Sequence, residues 1–234
     1  MELVTLEQID LNQFGKISDC KVYCTHIRIR NIKNRAEQIT KKILDTSWIE
    51  KFDTIDQVTF EARALRTINS LVTNILNNVD DKVTSDFGEY LVSESARDTL
   101  ASHHNHELIP LAELWKEKLS GNAGFDFHSI TSTKLIAFGE AKYKSSGNPH
   151  TIALEQICSF ITHKKDLMDL RELRLLASDE LALKVINDKK AFVAAFSLNG
   201  INYKDIFDYA LNSDYVDELL KYPELYLIGV EVCQ

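Results

Sequence analysis

The sequence predicts a mixed α/β protein of the α+β kind: a small mixed sheet flanked by helices, in one domain spanning 1–234. Three observations predict it. Strand-like and helix-spaced segments are mixed along the chain. Pro and Gly are sparse, at 3 and 8 residues, so no flexible linker divides it. The 234 residues, 44% hydrophobic, suffice for one full core and not clearly for two. Within that domain, 1–80 reads as an N-terminal strand/helix extension and 85–165 as the catalytic core.

Taken in order, Lys21–Ile29 is partly alternating and partly β-branched, which predicts a strand. Ala36–Trp48 and Val58–Val79 have helical apolar spacing. Ser85 or Asp86 is placed to cap a helix running to about Ala101, and His103-His104-Asn105-His106 reads as a break. Pro110 and the cluster Gly121-Asn122-Ala123-Gly124 punctuate a loop-rich stretch. Phe125–Ile130 reads as a short strand and Lys134–Tyr143 as a longer one, with Thr131-Ser132-Thr133 as the turn between them. After a turn at Ser145–Pro149, the spacing predicts helices over Thr151–His163, Leu167–Asn187 and Lys189–Phe196. Leu225–Cys233 reads as a final strand.

Composition narrows the setting. No apolar run approaches the ~20 residues that span a bilayer, and Met1-Glu2-Leu3-Val4 opens no signal peptide, so a cytoplasmic protein with no membrane association is expected. Four cysteines without a secretion signal are expected as reduced thiols. Cys20, Cys24 and His26 raise zinc, but no second pair has suitable spacing, and buried or incidental thiols are the better reading. The net charge of −8 argues mildly against a chain that grips DNA alone. The most basic stretch, His26 to Lys42, offers Arg28, Arg30, Lys33 and Arg35 either as a DNA-facing patch or as a solvated helix face.

The chemistry concentrates in Gly124-Phe125-Asp126-Phe127-His128 and Leu135 to Tyr143. Side chains alternate along a strand, so Ile136, Phe138, Glu140 and Lys142 share a face, apolar at one end and charged at the other. Asp126 and His128 share a face of the first strand. Paired as a hairpin, the two strands bring Asp126 beside Glu140, and two carboxylates with a lysine converge at one sheet end. Hydrolysis of a phosphodiester needs that set. Carboxylate oxygens hold Mg²⁺, which neutralises phosphate and activates water, and Mn²⁺ is expected to substitute. A lysine beside the ion orients or deprotonates the water and stabilises developing charge. Burial lowers a lysine pKa and carboxylates raise it, so its protonation state stays open. His128, on the Asp126 face, is placed either near the ion or against DNA.

This ensemble resembles the PD-(D/E)xK nuclease superfamily, with its restriction-endonuclease-like core. Asp126, Glu140 and Lys142 match the core motif, and Phe125 stands where the Pro would be. The resemblance implies two further residues. Glu89, on the preceding helix, becomes an additional metal ligand and catalytic residue, or else an exposed helical glutamate. Gln156, on the helix after the Glu-x-Lys strand, orients Lys142 or touches phosphate, or is an exposed polar residue. Residues 85–160 are more closely similar to the nuclease subunit of Hachiman-type antiphage systems, the HamA/AbpA-like family. The similarity rests on Phe87-Gly88-Glu89-Tyr90-Leu91, Ile109-Pro110-Leu111, Gly121 to Asp126 and Leu135 to Tyr143. It implies a Mg²⁺-dependent DNA nuclease that acts as a defence effector with a helicase subunit, which restrains it and supplies the DNA grip. A catalytically silent nuclease-fold subunit that docks or regulates a helicase, and a restriction-type endonuclease, stand as alternatives.

Other features read as structural. His103, His104 and His106 fit a solvated polar turn better than a metal site. Phe192, Phe196, Tyr203, Phe207 and Tyr209 fit core or a partner-binding face. No P-loop and no Gly-x-Ser-x-Gly elbow is present, so ATP hydrolysis by this chain is not expected.

Overall fold

Ala191–Leu198 (β6) is apolar at nearly every position, without alternation, and every residue of it is buried. Such a segment fits the middle of a parallel sheet covered on both faces. The computed structural model, which describes residues 1–74, 83–116, 124–199 and 202–233, places it there. The predicted helix over Lys189–Phe196 is thus corrected to a strand. Its six apolar residues in eight satisfy helical and buried-strand patterns equally.

Six further strands share the sheet: β1 (Glu2–Gln8), β2 (Lys21–Ile29), β3 (Glu107–Leu108), β4 (Phe127–Ile130), β5 (Ile136–Lys142) and β7 (Glu224–Val232). Their order is β1-β2-β7-β6-β5-β4-β3. β2, β7, β6 and β5 run parallel, with β1 antiparallel at one edge and β4 and β3 antiparallel at the other. The sheet is therefore larger than expected. β2, from the N-terminal strand/helix extension, lies inside the sheet, paired along its length with the C-terminal β7.

The helices are α1 (Ile32–Leu44), α2 (Thr54–Asn74), α3 (Ser85–His104), α4 (Ala112–Trp115), α5 (Pro149–Thr162), α6 (Lys165–Met168), α7 (Leu170–Leu176), α8 (Asp179–Ile186), α9 (Tyr203–Leu211) and α10 (Asp214–Leu219). Thr84 caps α3, accepting from the Phe87 amide at 3.3 Å, one position before the predicted caps. Asn105, left-handed at φ 56°, ends it. The helix expected over Leu167–Asn187 is three shorter ones, because Ser178 caps α8 anew and Asp169 interrupts the segment before it. The part of the predicted Val58–Val79 helix after Asn74, and Gly121 to Ala123, lie outside the described residues.

α5 and α3 position the hairpin β4–β5. Phe160 of α5 meets Phe125 at 5.1 Å between ring centroids, and Phe125 meets Phe138 at the same distance. α3 approaches closely enough that Gly88 lies against the Tyr143 ring, with no room for a Cβ. Gly139 does the same for Phe127, its partner across the hairpin. Buried residues from Leu11 to Val230 form one core cluster. Among the described residues, no helix is long and apolar enough to cross a membrane.

Candidate active site

The predicted hairpin forms with Phe127 opposite Gly139 and His128 opposite Phe138. One step further, the Asp126 amide donates to the Gly139 carbonyl at 2.9 Å. Asp126 Oδ2 accepts from the Ala141 amide at 2.8 Å, which aims its carboxylate along β5 towards Glu140. Glu140 is fully buried, and its Oε2 has no hydrogen-bond partner. Lys142 Nζ lies 2.7 Å from Glu140 Oε1 and 3.6 Å from Glu89 Oε1. The structure thus brings Asp126, Glu140 and Lys142 together at the end of β5, with Glu89 beyond the lysine on α3.

Burial pushes the Asp126 carboxyl up to about 6, against the pull of Lys142 and the Ala141 amide. Burial first, and the neighbouring Asp126 charge second, hold Glu140 well above the usual carboxylate range. Burial works against the Lys142 ammonium, but the Glu140 and Asp126 carboxylates outweigh it and hold the lysine above its ordinary value. The open question of its protonation state thus resolves towards a cation. Two carboxyls reluctant to ionise, one with an unsatisfied buried oxygen, are what a hard cation would relieve. Among the described residues, no group of three or more His, Cys, Asp or Glu side chains is gathered closely enough to hold a metal ion.

Several expected residues fall elsewhere. His128, sought near the ion or DNA, is fully buried. Its ring packs on Trp115 and Phe138, and Nε2 lies 3.2 Å from Asp169 Oδ2. Desolvation holds its pKa near 4, so the ring is neutral at physiological pH and out of reach of a polynucleotide. Arg35 is buried too, pairing with Asp98 at 2.8 Å and donating to Ser95 Oγ, which removes it from any DNA-facing patch. Arg28 pairs with Glu231 and Arg30 with Glu2, each at 2.7 Å. Lys33 remains on an exposed face. Gln156 is half-buried on α5, which packs against β5.

The solvated histidine turn is also corrected. His104 Nε2 meets Thr25 Oγ1 and His106 Nδ1 meets Ser129 Oγ, each at 2.9 Å, and both rings are buried around Tyr226. Cys20 and Cys24 are buried free thiols, with burial pushing Cys20 up to about 12, and His26 Nε2 lies 2.9 Å from Glu231.

Sequence reasoning did not single out Glu113 on α4. Its charge bears on Asp126, and it accepts a hydrogen bond from the Tyr90 hydroxyl. The only signal was an acidic residue within the loop-rich stretch before Asp126.

Compared with known proteins, the chain matches no family model and no curated protein.

Proposed function

We propose that this chain is a divalent-metal-dependent deoxyribonuclease whose centre is Asp126, Glu140 and Lys142. The observation that supports it best is Glu140: a fully buried carboxylate beside Asp126, with Oε2 unpartnered. Leaving such an oxygen unsatisfied costs roughly 1–3 kcal/mol or more, a strain that structural residues rarely keep. Asp126 and Glu140 would hold Mg²⁺ or Mn²⁺, whose hard charge suits carboxylate oxygens. The bound ion supplies Lewis acidity and a water of lowered pKa. Lys142, held cationic, donates to a phosphate oxygen or to the attacking water and opposes the charge that builds on phosphorus. As a cation it is not the proton acceptor.

The resemblance to Hachiman-type nuclease subunits extends the proposal to a defence effector working with a helicase. The pairing of Arg28, Arg30 and Arg35 with carboxylates of the chain itself supports it, because a chain of net charge −8 whose most basic stretch has these three arginines paired gains from a partner that holds the DNA. A second reading, a silent nuclease-fold subunit that docks a helicase, draws support from the lack of a three-ligand cluster among the described residues.

The test incubates purified chain with supercoiled and linear plasmid, in Mg²⁺ and in EDTA, beside Lys142→Ala. Degradation that needs Mg²⁺ and is lost in the variant is expected. Degradation retained by Lys142→Ala excludes this centre. A folded chain that binds no divalent ion favours the silent reading.

A further inference from the structure

We propose that a cavity between α1, α3 and the segment from β3 to α4 binds a single nucleotide by the edge of its base. The cavity encloses about 290 Å³ and is lined by none of the residues at the end of β5, so the proposal stands apart from the nuclease reading. The first ground is a set of orphaned polar atoms. Glu94 and Arg97, three residues apart on α3, are 1% and 8% exposed, and both line the cavity. Arg97 Nη1 donates to Glu94 Oε1, and Nη2 donates to the Ile109 carbonyl at 2.6 Å. Among the described residues, Glu94 Oε2 and Arg97 Nε then have no partner. Trp48, in the turn Ser47–Ile49, lines the same cavity, and its buried Nε1 is unpartnered too. The backbone beside them is already engaged: the Pro110 carbonyl accepts from the Trp115 indole at 2.9 Å, and a proline offers no amide. Folded proteins hold few such atoms, so three in the walls of one cavity call for a ligand that pairs with them.

The second ground is what those atoms ask for. Glu94 Oε2 accepts, while Arg97 Nε and Trp48 Nε1 donate. The wall around them is apolar, with Ile43, Leu111 and Leu114 buried in it. A flat molecule with apolar faces and an N–H beside a carbonyl on one edge answers all three. Its N–H goes to Glu94, and the two lone pairs of its carbonyl oxygen take both donors. Guanine and thymine carry that edge. Adenine and cytosine present an amino group beside a ring nitrogen, whose single lone pair takes one donor only.

The third ground is charge. Lys42 and Lys51 are exposed on the cavity lining. Lys42 pairs with Asp98, whereas Lys51 donates to the Leu176 carbonyl at 3.3 Å and has no carboxylate partner among the described residues. Lys51 therefore suits the 5′-phosphate. The volume, at the lower end of the roughly 300–1,000 Å³ of small-molecule pockets, fits one nucleotide and no more.

The experiment is calorimetric titration of the full chain in EDTA with dGMP, dTMP, dAMP, dCMP and inorganic phosphate. It compares wild type with Trp48→Phe, Glu94→Gln, Lys51→Ala and Lys142→Ala, with circular dichroism as the check on folding. Saturable binding of dGMP or dTMP is expected, with dAMP and dCMP weaker by about tenfold or more. Trp48→Phe keeps the ring but not the donor, and should weaken binding about three- to tenfold. Glu94→Gln should remove the preference among bases. Lys51→Ala should weaken dGMP and leave deoxyguanosine unchanged. Trp48→Phe serves if Glu94→Gln does not fold. Absence of dGMP and dTMP binding by wild type overturns the inference, as does wild-type affinity in Trp48→Phe. Equal affinity for dAMP and dCMP, or for inorganic phosphate, also overturns it. Binding lost in Lys142→Ala puts the nucleotide at the end of β5 instead, and overturns it without touching the nuclease reading.

Discussion

Asp126 is half-buried, with its carboxyl crowded by protein, and titrates at about 6 instead of near 3.9. A carboxyl with a raised folded-state value binds its proton more tightly when folded than when unfolded. Its contribution to stability is fully present below about pH 4 and is lost as pH rises through about 6. Asp126→Asn removes that loss while keeping an oxygen for the Ala141 amide. Thermal melts should therefore show the variant more stable than wild type at pH 8, by on the order of 1–3 kcal/mol, with the gap closing near pH 4. Mg²⁺ should raise the wild type alone. Equal melting at pH 8 would contradict this reading of the site. By the same logic, metal affinity of the wild type should climb between about pH 5 and 7, as the ion competes with a proton for Asp126. Glu140→Gln, which replaces a carboxyl already inclined to stay neutral, should leave the fold intact and abolish cleavage.

Among the elements, the hairpin was the most legible from sequence. Alternation put Asp126 and Glu140 within reach, and the β4–β5 pairing delivers them. β2 and β7 were legible because their apolar runs are β-branched and bounded. β6 was not, since an Ala-rich strand covered on both faces carries no period of its own. β1 was missed because all of its residues are exposed, so no buried face imposes a pattern on them. Burial of Arg35, His104, His106 and His128 escaped because the groups each one meets are distant in sequence, such as Asp98, Thr25, Ser129 and Asp169. α4 was missed because one helical turn has no periodicity to show. Two glycines make element-scale predictions. Gly139→Ala drives a methyl into the Phe127 ring and Gly88→Ala drives one into Tyr143. Each should cost about 1–3 kcal/mol in urea unfolding, and an unchanged midpoint in Gly139→Ala would contradict the close hairpin packing. Thr84→Ala should cost about 1 kcal/mol by removing the α3 cap.

Over the whole molecule, charge bears on how the proposed substrate would be held. The chain is acidic, and the arginines of its most basic stretch are committed to Glu231, Glu2 and Asp98. On the proposed reading, in which a partner holds the DNA, duplex binding by the free chain should be weak and shallow in its dependence on salt. Fluorescence anisotropy across a salt series measures that slope, and a steep one would mean that a basic surface exists which these ion pairs do not reveal. The central claim, that the end of the β4–β5 hairpin is a divalent-ion centre, is tested most directly by anomalous scattering from a crystal of the chain grown with Mn²⁺. The account predicts a peak between Asp126 and Glu140, absent in Asp126→Asn. A well-diffracting crystal with no peak there, or with the peak retained in the variant, would contradict it.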